Sequence, residues 1–583
     1  MSSPEQLDTP VQDVGAHRLP HPFTTVGEGY PYNYSDVDDL GPTDVDYPRT
    51  LIELRMCALS AAIREKPDWH VKFRDETIRA KWVEEVYQQQ RDLHESLQLT
   101  GNMINYVMTE LAAYAALRDD STGIEPGPYE RIWRSDRLIP ADIKLELLAA
   151  VAPLESVPDS QKDWHPRSDG KVLDLVHPSL YPVVYGRTVS TNGEPLEALE
   201  DDAVDPRFMS DEFQWLPSDF YVANNGNVSL ESPYINNIHP NDHEALQKVI
   251  PKVLEHAVPM FEWVLSDLER PKQLPSRIDL QGSNNPQCVW GMQGEPDLTE
   301  EQWRVIKEET RRYQRERKPG EPWLNYHRLL TFQHYDNAKK AWPDSKPAYD
   351  GGLDSVKKAR SLRGTTMQVI VKLANIVLTP ENPEYGGGAW HVEGMNNEAI
   401  VATFIYYYDC DNITESTLSF RNAVDAPHYH QQDDHYCMHH LYGIDRDERC
   451  VQDVGKVTTK QDRCIAFPNI YQHLVSPFRL ADPTKPGHRK ILVFFLVDPH
   501  IRIPSASDVA PQQESWFRRA VSGTVLWGRL PAELQDAIVE YYTELMTEEE
   551  AKYYRLELMK ERTAFVDVVD TQRFGTEFNM CEH

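Results

Sequence analysis

The segment Trp390-His391-Val392-Glu393 sets an imidazole and a carboxylate two residues apart. In a β-strand such residues share one side, so both can reach a single metal ion. A third donor is expected from His473, which follows the strand-like Ile465–Phe467 and the turn Pro468-Asn469 and opens an expected strand His473–Phe478. Two histidines and one carboxylate leave open positions on the ion, and that donor set suits non-haem Fe(II). Arg489 lies sixteen residues beyond His473, at the head of an apolar run. Its planar guanidinium matches a carboxylate. One strand away from the metal, it can hold the distal carboxylate of 2-oxoglutarate. The 2-oxo acid end would then chelate the metal and leave the last position for dioxygen. A lone H-x-E recurs by chance in a chain of this length. H-x-E, then eighty residues, then His, then sixteen, then Arg is far more restrictive. The expected catalytic and metal-binding residues are therefore His391, Glu393 and His473, with Arg489 binding the co-substrate.

Other polar residues stand near this pattern. Lys372 and Asn375 share the strand before it and are candidate cofactor-binding residues. Being three apart they face opposite sides, so at most one points inward. Trp390 is expected to pack away from the metal, and at least one of Tyr406, Tyr407 and Tyr408 to point inward. Gly386–Gly388 has no following helix, so it reads as a close backbone approach rather than a phosphate loop. His428, His430, His435, His439 and His440 form a histidine-rich insertion, read as a lid over the site or a second metal site. His488 points opposite to Arg489 and reads as structural. HExxH, GxSxG and GxxxxGK[ST] are all missing.

These residues need a rigid frame, and the patterning from Gly364 onward supplies one. Thr366–Thr379, Ala399–Asp409, Thr417–Arg421, Lys456–Thr459, Asp462–Phe467, His473–Phe478 and Lys490–Asp498 read as strands separated by turn residues. Several are apolar at both parities, as in Lys490–Asp498 (KILVFFLVD), so both faces must be covered. One face would line a barrel and the other meet helices. Helical spacing is expected over Arg49–Glu65, Glu76–Leu97, Asn102–Leu117, Ala141–Ala152, Asn241–Glu269, Asp297–Arg317 and Pro531–Phe565. Within Asn241–Glu269, Pro251 and Pro259 are expected to break or kink the helix.

The fold class expected is α+β: a double-stranded β-helix core of jelly-roll or cupin type, wrapped by N-terminal and C-terminal helices. The expected organisation is an extended arm over 1–48, a helical region over 49–169, a mixed region over 170–359, the barrel over 360–505 and a helical region over 506–583. The formal charge of −32 over 583 residues disfavours nucleic acid and anionic membranes as partners. Neither a secretory signal nor a spanning segment is seen. Seven scattered cysteines without a CxxC pair read as reduced thiols. Together these point to a cytoplasmic location.

The spacing resembles the superfamily of oxygenases that depend on 2-oxoglutarate and Fe(II). More closely, PVVYGR, SPYINNIHP, GGGAWHVEGMNNEAIVATFIYYYD, FPNIYQHLVSPFRLADPTKPGHRKILVFFLVDPHIRI and VAPQQ resemble a largely fungal family named only as domain of unknown function 4246. The likeness spans roughly residues 45–560. It carries His391, Glu393 and His473 over as metal ligands and Arg489 as the co-substrate clamp. The activity implied is oxidation of a C–H bond of a small-molecule substrate, hydroxylation by default, with dioxygen consumed and succinate and CO2 released. The alternatives are a non-catalytic cupin-like metal- or ligand-binding protein, and a protein or peptide hydroxylase.

Overall fold

The computed structural model describes residues 19–23, 45–198, 206–270, 273–278, 299–316, 342–427, 435–542 and 544–579. The strands that bear on the site are β1 (Glu125–Pro126), β2 (Trp133–Ser135), β3 (Val172–Val176), β4 (Ser218–Val222), β5 (Val228–Leu230), β6 (Thr365–Leu378), β7 (Ile400–Asp411), β8 (Ser416–Ala423), β9 (Val451–Thr459), β10 (Cys464–Pro468), β11 (Gln472–Val475) and β12 (Gly487–Val497). The helices are α1 (Leu51–Arg64), α2 (Glu76–Gln89), α3 (Gly101–Leu117), α4 (Ala141–Glu155), α5 (Glu244–Leu268), α6 (Glu300–Glu316), α7 (His435–Tyr442), α8 (Glu514–Ser522), α9 (Ala532–Tyr541) and α10 (Glu548–Gln572).

The architecture is mixed α/β with a large antiparallel sheet. Its nine strands run β1-β2-β10-β7-β12-β6-β4-β5, and β3 pairs with β6 off that path. A three-stranded antiparallel sheet, β9-β8-β11, lies against it. The long strands β6, β7 and β12 form the centre because their β-branched and aromatic runs contain no internal Pro or Gly. Arg489 pairs with Ile376 and Val493 with Lys372, while Ile405 pairs with both Val493 and Ile465. Directly paired residues share a face. Lys372, Ile405, Ile465, Arg489 and Val493 therefore lie on one side, which turns toward the small sheet. Phe467 meets Phe420 of β8 there at 5.0 Å between ring centroids.

The opposite face is covered by helices, as apolar residues at both parities require. Phe404 of β7 packs on Phe261 of α5 and stacks on Phe494 of β12. Arg463, 1% exposed, forks onto Asp136 and Glu65 and ties the edge of β10 to the N-terminal helices.

Most expected elements are present with shifted ends. Three expectations change. Pro251 and Pro259 do not break the helix: α5 is continuous over 25 residues. Each proline leaves the carbonyl four residues before it without a helical donor, at Gln247 and Glu255. Both of those residues are half-exposed, while Leu246, Val249, Ile250, Val253, Leu254, Ala257 and Met260 form a fully buried stripe. Packing of that stripe outweighs the two lost bonds. The C-terminal Pro531–Phe565 is two helices, because Thr547 and Glu550 form a capping box that starts α10 afresh. Glu76–Leu97 is α2 followed by a separate short 3-10 turn at Glu95–Leu97.

Much of the expected arm over 1–48 lies outside the described residues. Of its described parts, Leu19 N–H donates to Asp498, Phe23 packs on Phe565, and Asp46 is bound by Arg131. No described helix is long and apolar enough to cross a membrane. Cys57, Cys410, Cys450 and Cys464 are free thiols.

Candidate metal centre

After β6 the chain returns toward the small sheet through Gly386–Gly388. Gly387 has φ +87°, and a Cβ there would sit 2.8 Å from the Val475 carbonyl. Only glycine allows that approach, and the Gly388 N–H then donates to the same carbonyl at 2.9 Å. Beyond it His391 and His473 bond to each other through both backbones, His391 N to His473 O at 3.3 Å and His473 N to His391 O at 3.0 Å. This is an isolated bridge, not a strand. The expectation that His391 and Glu393 share the side of a regular strand is corrected accordingly: the chain leaves the ladder after His391 and turns at Gly394, φ +70°.

Their side chains nevertheless converge. Glu393 Oε1 lies 3.3 Å from His473 Nε2 and 3.7 Å from His391 Nε2. The rings of His391 and His473 are 4.3 Å apart. One ligand atom from each of the three residues falls within 4.8 Å of the others. His473 is buried, Glu393 partly so, and the His391 side chain is 37% exposed, which leaves the cluster accessible. The Nδ1 of His391 lies 2.8 Å from the Ala389 carbonyl. A carbonyl only accepts, so Nδ1 carries the proton and Nε2 keeps its lone pair for the cluster.

Burial works to lower His391, but hydrogen bonding and charge from Glu393 outweigh it and raise it. Burial works to raise the Glu393 carboxyl, but hydrogen bonds and charge from His391 and His473 outweigh it and hold the group well below the ordinary carboxylate range. Burial and the neighbouring His391 lower His473 despite Glu393. At neutral pH the cluster offers a carboxylate and a neutral imidazole, the forms a metal needs.

Arg489 is 2% exposed and lies on the same interior face. It donates to Ser416 Oγ at 2.8 Å and Thr459 Oγ1 at 3.5 Å, and packs over Phe478 and Tyr407. Among the described residues its Nε has no partner, and burial lowers its pKa. A buried guanidinium without a carboxylate is costly unless a ligand supplies one.

The strand register separates the two other candidates. Lys372 shares the interior face and, among the described residues, has no hydrogen-bond or ion-pair partner. Asn375 lies on the other face, where it donates to Glu155 at 2.6 Å and accepts from the Tyr408 hydroxyl at 3.4 Å. It is satisfied there and does not join the cluster. Tyr407 is the inward tyrosine, beside Arg489. Trp390 packs under the Arg421 guanidinium, and His488 pairs with Asp409 on the outer side.

His428 and His430 lie outside the described residues. Helix α7, which begins at His435, is anchored by Met438, Leu441 and Tyr442 in a small apolar cluster with Val424 and Phe578. His439 pairs with Asp445, and His440 stacks on His94.

Three features escape sequence reasoning. Asn469, 1% exposed, accepts from the Glu393 N–H and donates to the Glu393 carbonyl, both at 2.8 Å, and donates to Ile400 O at 2.9 Å. The buried Glu398 accepts from Met395 N, Trp215 N and Arg562 and so fixes the loop after Glu393. A second group of ligand-type residues, His165, Asp174 and His177, forms on and around β3; its only trace in the sequence is the D-L-V-H run.

The family model described as "Protein of unknown function (DUF4246)" matches residues 101–520, and the model of that family's N-terminal domain matches 16–85. The chain belongs to the DUF4246 family. No curated protein matches this DUF4246 chain. Among solved structures it is similar to IDO from Bacillus thuringiensis, at 9% identity over 24% of this chain and 48% of that one, with a TM-score of 0.15. A bsmA homologue from Methylobium petroleophilum matches at 11% identity over 24% and 45%, TM-score 0.15. TqaL, an Fe(II)/α-ketoglutarate-dependent dioxygenase, matches at 14% identity over 31% and 56%, TM-score 0.16. The chain spans about half the length of these proteins. TM-scores this low do not establish a shared fold.

Proposed function

We propose that this DUF4246 chain is an Fe(II)- and 2-oxoglutarate-dependent oxygenase acting on a small-molecule substrate. The observation that carries the reading is the meeting of His391 Nε2, His473 Nε2 and Glu393 Oε1, with the His391 proton committed to Ala389. His391, Glu393 and His473 would hold the iron, and the buried, carboxylate-free Arg489 would receive the distal carboxylate of 2-oxoglutarate. The donor set fits iron, and the orphaned Nε of Arg489 fits a ligand carboxylate. Together the bound iron and co-substrate supply oxidation of a C–H bond by dioxygen, with succinate and CO2 as by-products.

The chain's own residues do the positioning. Asn469 holds both the N–H and the carbonyl of Glu393, and Glu398 holds the loop beyond it. Ala389 fixes the His391 ring. The interior face of β6 and β12 presents Lys372 and Arg489. We read the facing sheets as a double-stranded β-helix over 360–505, with 49–169, 170–359 and 506–583 packed around it. The contacts Phe420–Phe467 and Arg489–Ser416 between the sheets support that reading. The enclosing helices favour a small molecule over a folded protein as substrate.

The test is turnover. Purified protein with Fe(II), 2-oxoglutarate and oxygen should form succinate, faster when substrate is present, and Glu393→Ala should abolish it. Binding of iron and 2-oxoglutarate without succinate, across a broad substrate panel, would favour a non-catalytic binding protein instead.

A further inference from the structure

The second polar group stands on the same interior face as Arg489 and Lys372. Asp174 pairs directly with Ala374, two residues from Lys372 and on its side of β6. The carboxylate of Asp174 is buried; Oδ2 accepts from His165 Nδ1 at 2.8 Å, and Oδ1 has no partner among the described residues. Diagonal neighbours on paired strands are close enough for a lysine to reach, yet Lys372 does not pair with Asp174. Its ammonium is near enough to influence Asp174 and His177 on one side and His391 and His473 on the other. Among the described residues Lys372 therefore carries an unpaired charge on the face it shares with Asp174 and Arg489.

His165, Asp174 and His177 also make a donor set for a cation, but the tautomer of His177 opposes it. The Ser179 N–H donates to His177 Nδ1 at 3.1 Å. Nδ1 therefore holds the lone pair and Nε2 the proton, the reverse of His391. A protonated Nε2 is a donor, not a ligand. This face then offers two donors, Lys372 Nζ and His177 Nε2, and one buried anionic acceptor, Asp174 Oδ1. Their formal charges cancel. A ligand with one net charge would leave either Lys372 or Asp174 uncompensated at a buried site, which is costly.

Resting on the oxygenase reading above, we infer that this group is the substrate-recognition pole of the site, and that the substrate is a zwitterion of the amino-acid class. Its ammonium binds Asp174 Oδ1, and its carboxylate binds Lys372 and His177. Asp174, kept charged and oriented by His165, and Lys372 are the specificity-determining residues. The rest of the substrate extends toward His391 and Glu393.

The probes are a panel of proteinogenic L-amino acids and their N-methylated relatives, each with its deaminated acid and decarboxylated amine. Binding is read as thermal stabilisation of the metal-free protein and, separately, as a shift of the iron–2-oxoglutarate absorption band under nitrogen. At least one amino acid should stabilise the protein, and both of its analogues should bind roughly tenfold more weakly or worse, as loss of a charged hydrogen bond implies. Lys372→Met and Asp174→Asn should each impose a similar loss while the absorption band still forms, which shows that the variants are folded. A panel without a stabilising member would overturn the inference. So would a deaminated acid binding as well as its parent, or a Zn(II) equivalent that survives His391→Ala and disappears in His177→Ala. Stabilisation by an amino acid in a protein that forms no iron band would refute the iron reading and leave the zwitterion pole standing.

Discussion

Replacing Arg489 by methionine should have effects of opposite sign on the free and the loaded protein. In the free protein the guanidinium is 2% exposed and, among the described residues, bonds only to Ser416 and Thr459 and packs on two aromatic rings. Removing an uncompensated buried charge in favour of an apolar chain of similar length should stabilise the metal-free protein by about 1–3 kcal/mol. Ser416 and Thr459 keep a hydrogen bond to each other, so the substitution orphans neither. In the loaded protein the same change strips the counter-charge from the distal carboxylate of 2-oxoglutarate. Breaking a buried charge pair costs about 3–5 kcal/mol, which is roughly two to three and a half orders of magnitude in affinity. The assays are denaturant unfolding of the metal-free protein and calorimetric titration of 2-oxoglutarate into Fe(II)-loaded protein under nitrogen. Iron affinity should stay close to wild type. A 2-oxoglutarate affinity within about threefold of wild type, or a clear loss of stability in the metal-free variant, would make Arg489 a structural residue and not a carboxylate clamp.

Other residues give independent checks. Asn469→Ala should weaken Fe(II) binding about 10- to 100-fold, by freeing the Glu393 backbone while leaving all three ligands in place; competition against a chromophoric chelator measures it, and an unchanged affinity would deny Asn469 a positioning role. Pro251→Ala and Pro259→Ala should each raise stability by up to about 3 kcal/mol, since each restores a helical donor within the continuous α5; a loss in denaturant midpoint would show that the helix depends on its prolines. Burial pushes His177 down to about 3, against 6.5 when exposed. The unfolded chain therefore binds more protons between those values, and the stability this histidine contributes is complete above pH 6.5 and lost as pH falls toward 3. At pH 5 the loss is about 2 kcal/mol, so His177→Asn should gain on wild type in melting temperature between pH 7.5 and pH 5, and a constant difference would contradict the assignment.

The candidate site is legible where chemistry restricts residue type and spacing. His391, Glu393, His473 and Arg489 stand out because few residue types bind a metal or clamp a carboxylate, and because their spacing matches returns of the chain between strands. The strands themselves were readable from β-branched runs, although the local geometry at Glu393 was not. That residue reaches His473 from a glycine-flanked loop, a conformation that no alternation pattern encodes. Asn469 and Glu398 stayed hidden since their work is hydrogen bonding to backbone, which leaves no periodic mark. Lys372 and Asn375 could not be told apart until pairing with Val493 and Lys490 fixed which face each occupies. Asp174 reaches the interior only through the pairing of β3 with β6, some two hundred residues later in the chain. The continuity of α5 is a tertiary effect: its buried apolar stripe overrides the local preference of two prolines.

In the proposed oxygenase, His391, Glu393 and His473 hold one iron to which 2-oxoglutarate binds. The most direct measurement is the visible metal-to-ligand charge-transfer band formed when Fe(II) and 2-oxoglutarate are added under nitrogen. Wild-type protein should develop the band and saturate at one iron per chain, and His391→Ala should form none. Absence of the band from the wild type, or an unchanged band in His391→Ala, would contradict the assignment.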